Sequence, residues 1–288
     1  MRVACCQISP DVERPEYSAE LARQAIRTGV AGGAQIIVLP ELANSGYGFG
    51  SAPEARAAAV PADGELLRSW AGEAARGDAL VIVGFCELAP DGRVFNSAAL
   101  LDGGGVIAVY RKLHLWGDES RWFAAGEQPA PVVQTRCGAI ALAVCYDLEF
   151  PELTRGLALA GAQLIALPTN WPREPAPPDG RPILHSLAAT TAYGSKVFVA
   201  VCDRCGTERG LEFEGGSVIA GPDGGFRAGP VANRGVQTLY ADCDLGQALD
   251  KRTGERNDAF ADRRPAHYAA ALVDAGHTGI ELAQRVEG

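Results

Sequence analysis

Histidine is scarce in this 288-residue chain: His114, His185, His267 and His277 are the full set, and they do not cluster at metal-ligand spacing. A metal centre is therefore not expected, and nothing else in the sequence asks for a cofactor. Eight cysteines are too few for a disulfide scaffold of this length. Cys202 and Cys205 form one C-x-x-C, but no second pair completes a zinc site. That pair follows the strand-like "KVFVAV", whereas a redox pair would open a helix. No G-x-S-x-G elbow is found, which argues against a Ser-His-Asp hydrolase. Basic residues are not in excess: a net charge of −9 speaks against nucleic acid or an anionic membrane surface as partner. No apolar run approaches the roughly 18 residues of a membrane span. The opening "MRVACCQISP" enters a strand with no secretory h-region, so a cytosolic protein is expected.

With 47% hydrophobic and 21% charged residues, the composition is that of an ordinary globular chain. A diverged internal repeat organises it. "GGAQIIVLPE" at 32–41 matches "AGAQLIALPT" at 160–169, and each copy follows an alanine-rich helical stretch. Upstream of each lies a strand ending near a cysteine, "VACCQIS" in one half and "LAVCYDL" in the other. A weaker pair follows, "NSAALLDGGG" at 96–105 and "GSVIAGPDGG" at 216–225, both strands running into Gly-rich turns. Leu66, Leu67, Trp70, Ala71, Ala74 and Ala75 make a one-faced helical stripe, as do Ile183, Leu184, Leu187, Thr191 and Ala192. The strands "AQIIVL", "LVIVGF", "AIALAV" and "KVFVAV" are continuously apolar, which predicts that both of their faces are covered. Two facing sheets with helices outside both satisfy these patterns, as one pseudo-symmetric α/β domain over 1–288 with a loop at 172–182.

Three segments place polar residues just beyond strand ends. Glu41 follows "VLP", Lys112 follows "VIAVYR" with Glu119 seven residues on, and Cys145 stands in "LAVCYDLEFPE". In the last, Pro151 suits the first position of a helix, so Cys145 lies at a strand-to-helix junction where backbone amides point into open space. Taken alone, that stretch favours a buried structural cysteine, and a lone strand-end Glu or Lys is usually a surface residue. Together the three supply a nucleophile, a base and a cation, the parts needed for acyl transfer.

On "LPE" at Glu41, "YRKLHL" at Lys112 and "CYDLEFPE" at Cys145, the chain resembles the nitrilase superfamily of carbon–nitrogen hydrolases, with its Glu-Lys-Cys triad. The resemblance extends through "DRCGTERGLEFEGGSVIAGPDG" at 203–224 and "NDAFADRRPAHY" at 257–268, where it is similar to 5-aminopentanamidases and hyperthermophile nitrilase-like hydrolases. It implies a four-layer α-β-β-α sandwich and a homodimer or higher homo-oligomer. It also implies that Cys145 forms a thioester and Glu41 moves the protons, while Lys112 and the Tyr146 backbone N–H hold the oxyanion. Glu119 matches a second glutamate of the family, expected to keep Lys112 charged. Asn170 and Trp171, which follow the second repeat strand, are expected to line the pocket, with Tyr47 and Phe49 from the first half.

The expected activity is hydrolysis of a small, aliphatic carboxamide to acid and ammonia. Tyr146-Asp147 after the nucleophile leans that way, since Trp-Glu is common there in true nitrilases. A nitrilase and an N-carbamoyl amine hydrolase stand as alternatives, with a catalytically silent scaffold or a Cys202–Cys205 thiol redox protein further off. The acyl group is not legible, although Glu149 or Glu212 would suit an amine-bearing substrate.

Overall fold

The structure, a computed structural model, describes residues 1–268 apart from 174, 176, 179, 232 and 233. Met1–Asp250 forms one compact unit. The second begins at Lys251, and its described part is held by an Arg252–Asp258 bridge and by Lys251 over the Phe260 ring. His277 lies outside the described residues.

In chain order the first half of the main unit runs β1 (Arg2–Gln7), α1 (Pro15–Ala31), β2 (Ile36–Val38), α2 (Ala52–Ala58), α3 (Glu65–Ala75), β3 (Leu80–Leu88), β4 (Val94–Asp102) and β5 (Gly105–Arg111). The second half runs β6 (Val132–Thr135), β7 (Gly138–Leu142), α4 (Pro151–Leu159), β8 (Leu164–Thr169), α5 (Ile183–Ser195) and β9 (Phe198–Asp203). It continues through β10 (Thr207–Glu208), β11 (Leu211–Glu212), β12 (Val218–Ala220), β13 (Phe226–Ala228) and β14 (Gln237–Asp242).

Two six-stranded sheets result, ordered β14-β1-β2-β3-β4-β5 and β6-β7-β8-β9-β12-β13. In each, three parallel strands continue into an antiparallel pair, and an antiparallel strand covers the other edge. The repeat read from the sequence is thus a repeat of whole sheets. The sheets pack face to face, with β1 on β9 and β3 on β8; α1 and α3 cover the first sheet and α5 the second. This is the expected four-layer arrangement, and it explains the unbroken apolar strands. Every residue of β2, β8 and β9 is buried, because one face meets the opposite sheet and the other meets helices.

The helices follow their stripes with two changes. α3 buries Leu67, Trp70, Ala71 and Ala74, and leaves Ala75 outside. α5 buries Leu184, His185, Ala188, Ala192 and Ser195, whereas Ile183 is exposed. Its inner face is therefore rotated from the expected one. α5 is apolar on several sides, so its pattern does not single out a face; the seat of His185 does, with Nε2 3.0 Å from the Gly216 carbonyl.

Candidate active site

Glu41 lies in the chain leaving β2. The backbone is pressed against β3 there: a Cβ on Gly84 would come within 2.4 Å of the Glu41 Cα. Gly84 donates its N–H to the Pro40 carbonyl and accepts from the Ala43 N–H, pinning the turn on both sides. Leu42 then adopts a left-handed conformation, φ 49°. Cys145 does the same, φ 45°, at the start of a short 3-10 helix, Cys145–Glu149, that leads into Pro151 and α4. A side chain in that region costs about 1–2 kcal/mol. The strain sits where the chain must turn from strand to helix and present one side chain at the tip.

Lys112 follows β5 and is wholly buried. Its Nζ donates to Glu41 Oε1 and to Glu119 Oε1, both at 2.8 Å. Asn96, on β4, donates from Nδ2 to Glu41 Oε1 at 2.6 Å and reaches Glu119 Oε2 at 3.5 Å. The Tyr47 hydroxyl donates to Glu119 Oε1 at 2.9 Å. Glu41 Oε2 is buried and has no partner, which leaves one carboxylate oxygen able to receive a proton.

The electrostatics follow from counting. One ammonium faces two carboxylates and a thiol in a buried pocket, so negative charge is in surplus, and Lys112, Glu119 and Cys145 each hold a proton more tightly than usual. Burial would lower the Lys112 pKa, but Glu41 and Glu119 outweigh it and raise it well above the usual value. Burial raises Glu119, and Glu41 adds to this against Lys112. Burial, then Glu41, raises the Cys145 thiol well above its ordinary value; Lys112 and the Asn170 backbone N–H oppose them. The resting nucleophile is a thiol, so its proton must leave as it attacks.

A small cavity of about 20 Å³ opens onto Cys145, lined by Tyr47, Trp116, Tyr146, Glu149, Asn170, Trp171 and Pro172. Of the residues singled out in the sequence, Tyr47, Tyr146, Glu149, Asn170 and Trp171 line it, and Glu41, Lys112 and Glu119 form the cluster beside the thiol. Phe49 does not: it packs edge-on to Phe123, ring centres 5.8 Å apart, in an apolar cluster with Val12, Leu42 and Cys86. Glu212 is exposed and paired with Arg173 at 2.9 Å, in an outer cavity of about 380 Å³ that shares Trp171 with the inner one. Cys202 lies beside Cys5, from the other sheet, which helps to push its thiol pKa up; Cys5, Cys202 and Cys205 are all buried free thiols.

Three residues of the site were not expected: Trp116, Asn96 and Pro172, the last at the start of the 172–182 loop. Trp116 sits between Lys112 and Glu119 in the chain, and Asn96 is the polar residue opening "NSAALLDGGG". A polar side chain entering an otherwise apolar strand was the available signal for Asn96. Asn170 presents a further oddity, since both atoms of its carboxamide are buried without partners. Buried polar groups are nearly always paired, so this one is exceptional.

Comparison with known proteins agrees with this geometry. The profile described as carbon-nitrogen hydrolase matches residues 2–252. The chain belongs to that family and is an enzyme of the carbon–nitrogen hydrolase class. It is 33% identical over 271 residues to a protein named nitrilase from Pyrococcus abyssi, covering 93% of this chain and 99% of that one. It is 32% identical to an (R)-stereoselective amidase from Pseudomonas sp, covering 92% of each. Among solved structures it resembles an amidase from Nesterenkonia sp., with a TM-score of 0.76 and 29% identity over 94% of this chain and 96% of that one. A glutamate-to-glutamine variant of that amidase carries the acetamide moiety of fluoroacetamide covalently on its active-site cysteine.

Proposed function

We propose that the protein hydrolyses a small aliphatic carboxamide to a carboxylic acid and ammonia, through a thioester on Cys145. The observation that carries this is the buried Cys145 thiol lining a small cavity, beside a buried ammonium held by two carboxylates. The cavity's walls are the large side chains of Tyr47, Trp116, Tyr146 and Trp171, which favours a short acyl chain.

The steps follow from these groups. As Cys145 Sγ attacks the carbonyl carbon, Glu41 takes the thiol proton on its unpartnered Oε2. The carbonyl oxygen becomes an oxyanion, met by the Lys112 ammonium and the Tyr146 N–H. Tyr146 is the second residue of its 3-10 turn, where amides have no partner within the helix. One such donor lowers the barrier by about 3 kcal/mol. Glu41 then gives its proton to the amide nitrogen, the C–N bond breaks and ammonia leaves. Water attacks the thioester and passes a proton to Glu41, and the C–S bond breaks as that proton returns to sulfur. Glu119 keeps Lys112 charged and fixed throughout. The covalent adduct on the amidase's cysteine supports this use of Cys145.

The similarity to the Pyrococcus abyssi nitrilase keeps a second reading in view, turnover of a nitrile. That route passes first through a thioimidate, whose nitrogen must be protonated and hydrated before ammonia departs. Matched pairs of short amides and nitriles, with N-carbamoyl amines alongside, decide between them by release of acid and ammonia. The amide should show the higher kcat/KM at each chain length; a consistent advantage for the nitrile replaces the amidase reading with the nitrilase one. A homodimer belongs to the same reading, supported by the exposed Ile183 and Tyr193 on α5, and light scattering tests it.

A further inference from the structure

The mechanism above makes no use of Asp147, yet this carboxylate is wholly buried and each of its oxygens has two polar partners. Its Oδ2 accepts from the Val144 N–H at 2.9 Å and from the Tyr110 hydroxyl at 2.8 Å. Its Oδ1 lies 2.7 Å from His114 Nδ1 and 3.4 Å from the His114 N–H. Tyr110 and His114 stand two residues before and two after Lys112, and Val144 immediately precedes Cys145. The Tyr110 oxygen also accepts from the Leu113 N–H at 3.2 Å, so the segment carrying Lys112 is held at several points. The His114 ring stacks on Phe150 with centres 3.6 Å apart, and Tyr146 meets the same ring edge-on at 5.0 Å. Lys112 comes from the first sheet and Cys145 from the second. Apart from packing, one carboxylate bolts the two segments together.

We propose that Asp147 is a positioning residue, which with Tyr110 and His114 fixes Lys112 and the Tyr146 N–H in register as the two halves of the oxyanion site. The proposal rests on the amidase reading and goes beyond it. Oxyanion donors act only when aimed at the position the oxygen will occupy, so a shift of about 1 Å between the segments is costly to the rate. Substrate entry, and a reaction of the thiol that forms no oxyanion, do not call on the aim of those two donors.

The test compares two reactions of the same thiol in Asp147→Asn. One is amide turnover, which forms an oxyanion; the other is thiolation of Cys145 by methyl methanethiolsulfonate, which forms none. Asn keeps the size of the side chain but replaces an accepting oxygen by a donor, facing groups that already donate. The expected result is a fall in kcat of at least thirtyfold, with KM and the thiolation rate each within threefold of wild type. Asp147→Glu restores the charge but displaces it by one methylene, and is expected not to restore kcat. Should Asp147→Asn fail to fold, Tyr110→Phe removes one bond alone, with an expected three- to tenfold fall confined to kcat. An undiminished kcat, or equal losses in turnover and thiolation, overturns the proposal. Wild-type enzyme in the same assay separates the two levels. No amide turnover there refutes the amidase reading and the proposal with it, whereas normal turnover in wild type and variants alike refutes the proposal alone.

Discussion

Replacing Glu119 by Gln should slow amide turnover about tenfold while making the Cys145 thiol easier to ionise, two changes of opposite sign from one substitution. Gln keeps an oxygen near Lys112 Nζ and the Tyr47 hydroxyl, so the 2.8 Å and 2.9 Å contacts survive, the first as an ammonium-to-amide bond in place of an ion pair and the second as a neutral hydrogen bond. The Tyr47 bond drops from the roughly 1.5–3 kcal/mol of a bond to a charged acceptor to the roughly 0.5–1.5 of a neutral one, and the loss of one charge from the ion pair is of similar size, so the anchor of Lys112 weakens by about 1–1.5 kcal/mol. At about 1.4 kcal/mol per decade, that is roughly tenfold in rate. The charge count changes too. With Glu119 neutral, one ammonium faces one carboxylate and the surplus negative charge is gone. Glu119 is among the groups holding the Cys145 pKa up, so that pKa falls in the variant and the pH midpoint of Cys145 thiolation moves to lower pH. Lys112 loses one of the two carboxylates that raise its pKa, so its ammonium is lost at a lower pH and the deficit in turnover widens on the alkaline side. Glu41→Gln, by contrast, removes the proton carrier and should cost about 10²–10⁴-fold. Single-turnover acylation against pH, with thiolation followed in parallel, reads both effects. Equal mild losses in the two variants, or a thiol midpoint that rises in Glu119→Gln, would refute the assignment of base and anchor.

Cys145→Ala should abolish turnover, and intact-protein mass spectrometry of wild type with a slow amide should place the acyl group on Cys145 and on no other cysteine. Cys145→Gly should be more stable than Cys145→Ala by about 1 kcal/mol in thermal unfolding, because glycine accepts φ 45° without strain; equal stabilities would deny the strain. Gly84→Ala should lose about 1–3 kcal/mol and most of its activity, since the added methyl meets the Glu41 backbone at 2.4 Å and cannot be accommodated by a side-chain rotation. Asn170→Leu removes two unpaired buried polar atoms, so denaturant unfolding should show stability unchanged or raised by about 1 kcal/mol. If its carboxamide serves the substrate, KM should rise about tenfold, and an unaltered KM would assign Asn170 a purely structural place.

The parts of this protein that were legible in its sequence are those written in one segment. Glu41, Lys112 and Cys145 each stand at a strand end whose apolar run announces it, and the duplicated "GGAQIIVLPE" and "AGAQLIALPT" foretold two like sheets. What depended on distant segments was not legible. Asn96 reaches the two glutamates from β4, and nothing near it in the chain marks that contact. Phe49 follows Tyr47 by two residues, as if to share its face, but the loop between them turns it toward Phe123. The C-x-x-C suggested a partnership of Cys202 with Cys205, whereas the packing of β1 on β9 gives Cys202 to Cys5. β14 closes the first sheet beside β1 although the two are separated by nearly the whole unit, a pairing no local pattern specifies.

The division of the site between the sheets bears on how the protein folds and fails. Glu41, Asn96, Lys112 and Glu119 all come from the first half, and Cys145, Tyr146, Asn170 and Trp171 from the second. Neither half contains a working set. Every strand and helix could be formed and the chain would still be inert until the two sheets met in register. Such contacts are late and non-local, assembled only after large loops have closed. Recovery of activity during refolding should therefore lag the recovery of secondary structure, and in denaturant catalysis should vanish with the docking of the sheets, ahead of the strands themselves.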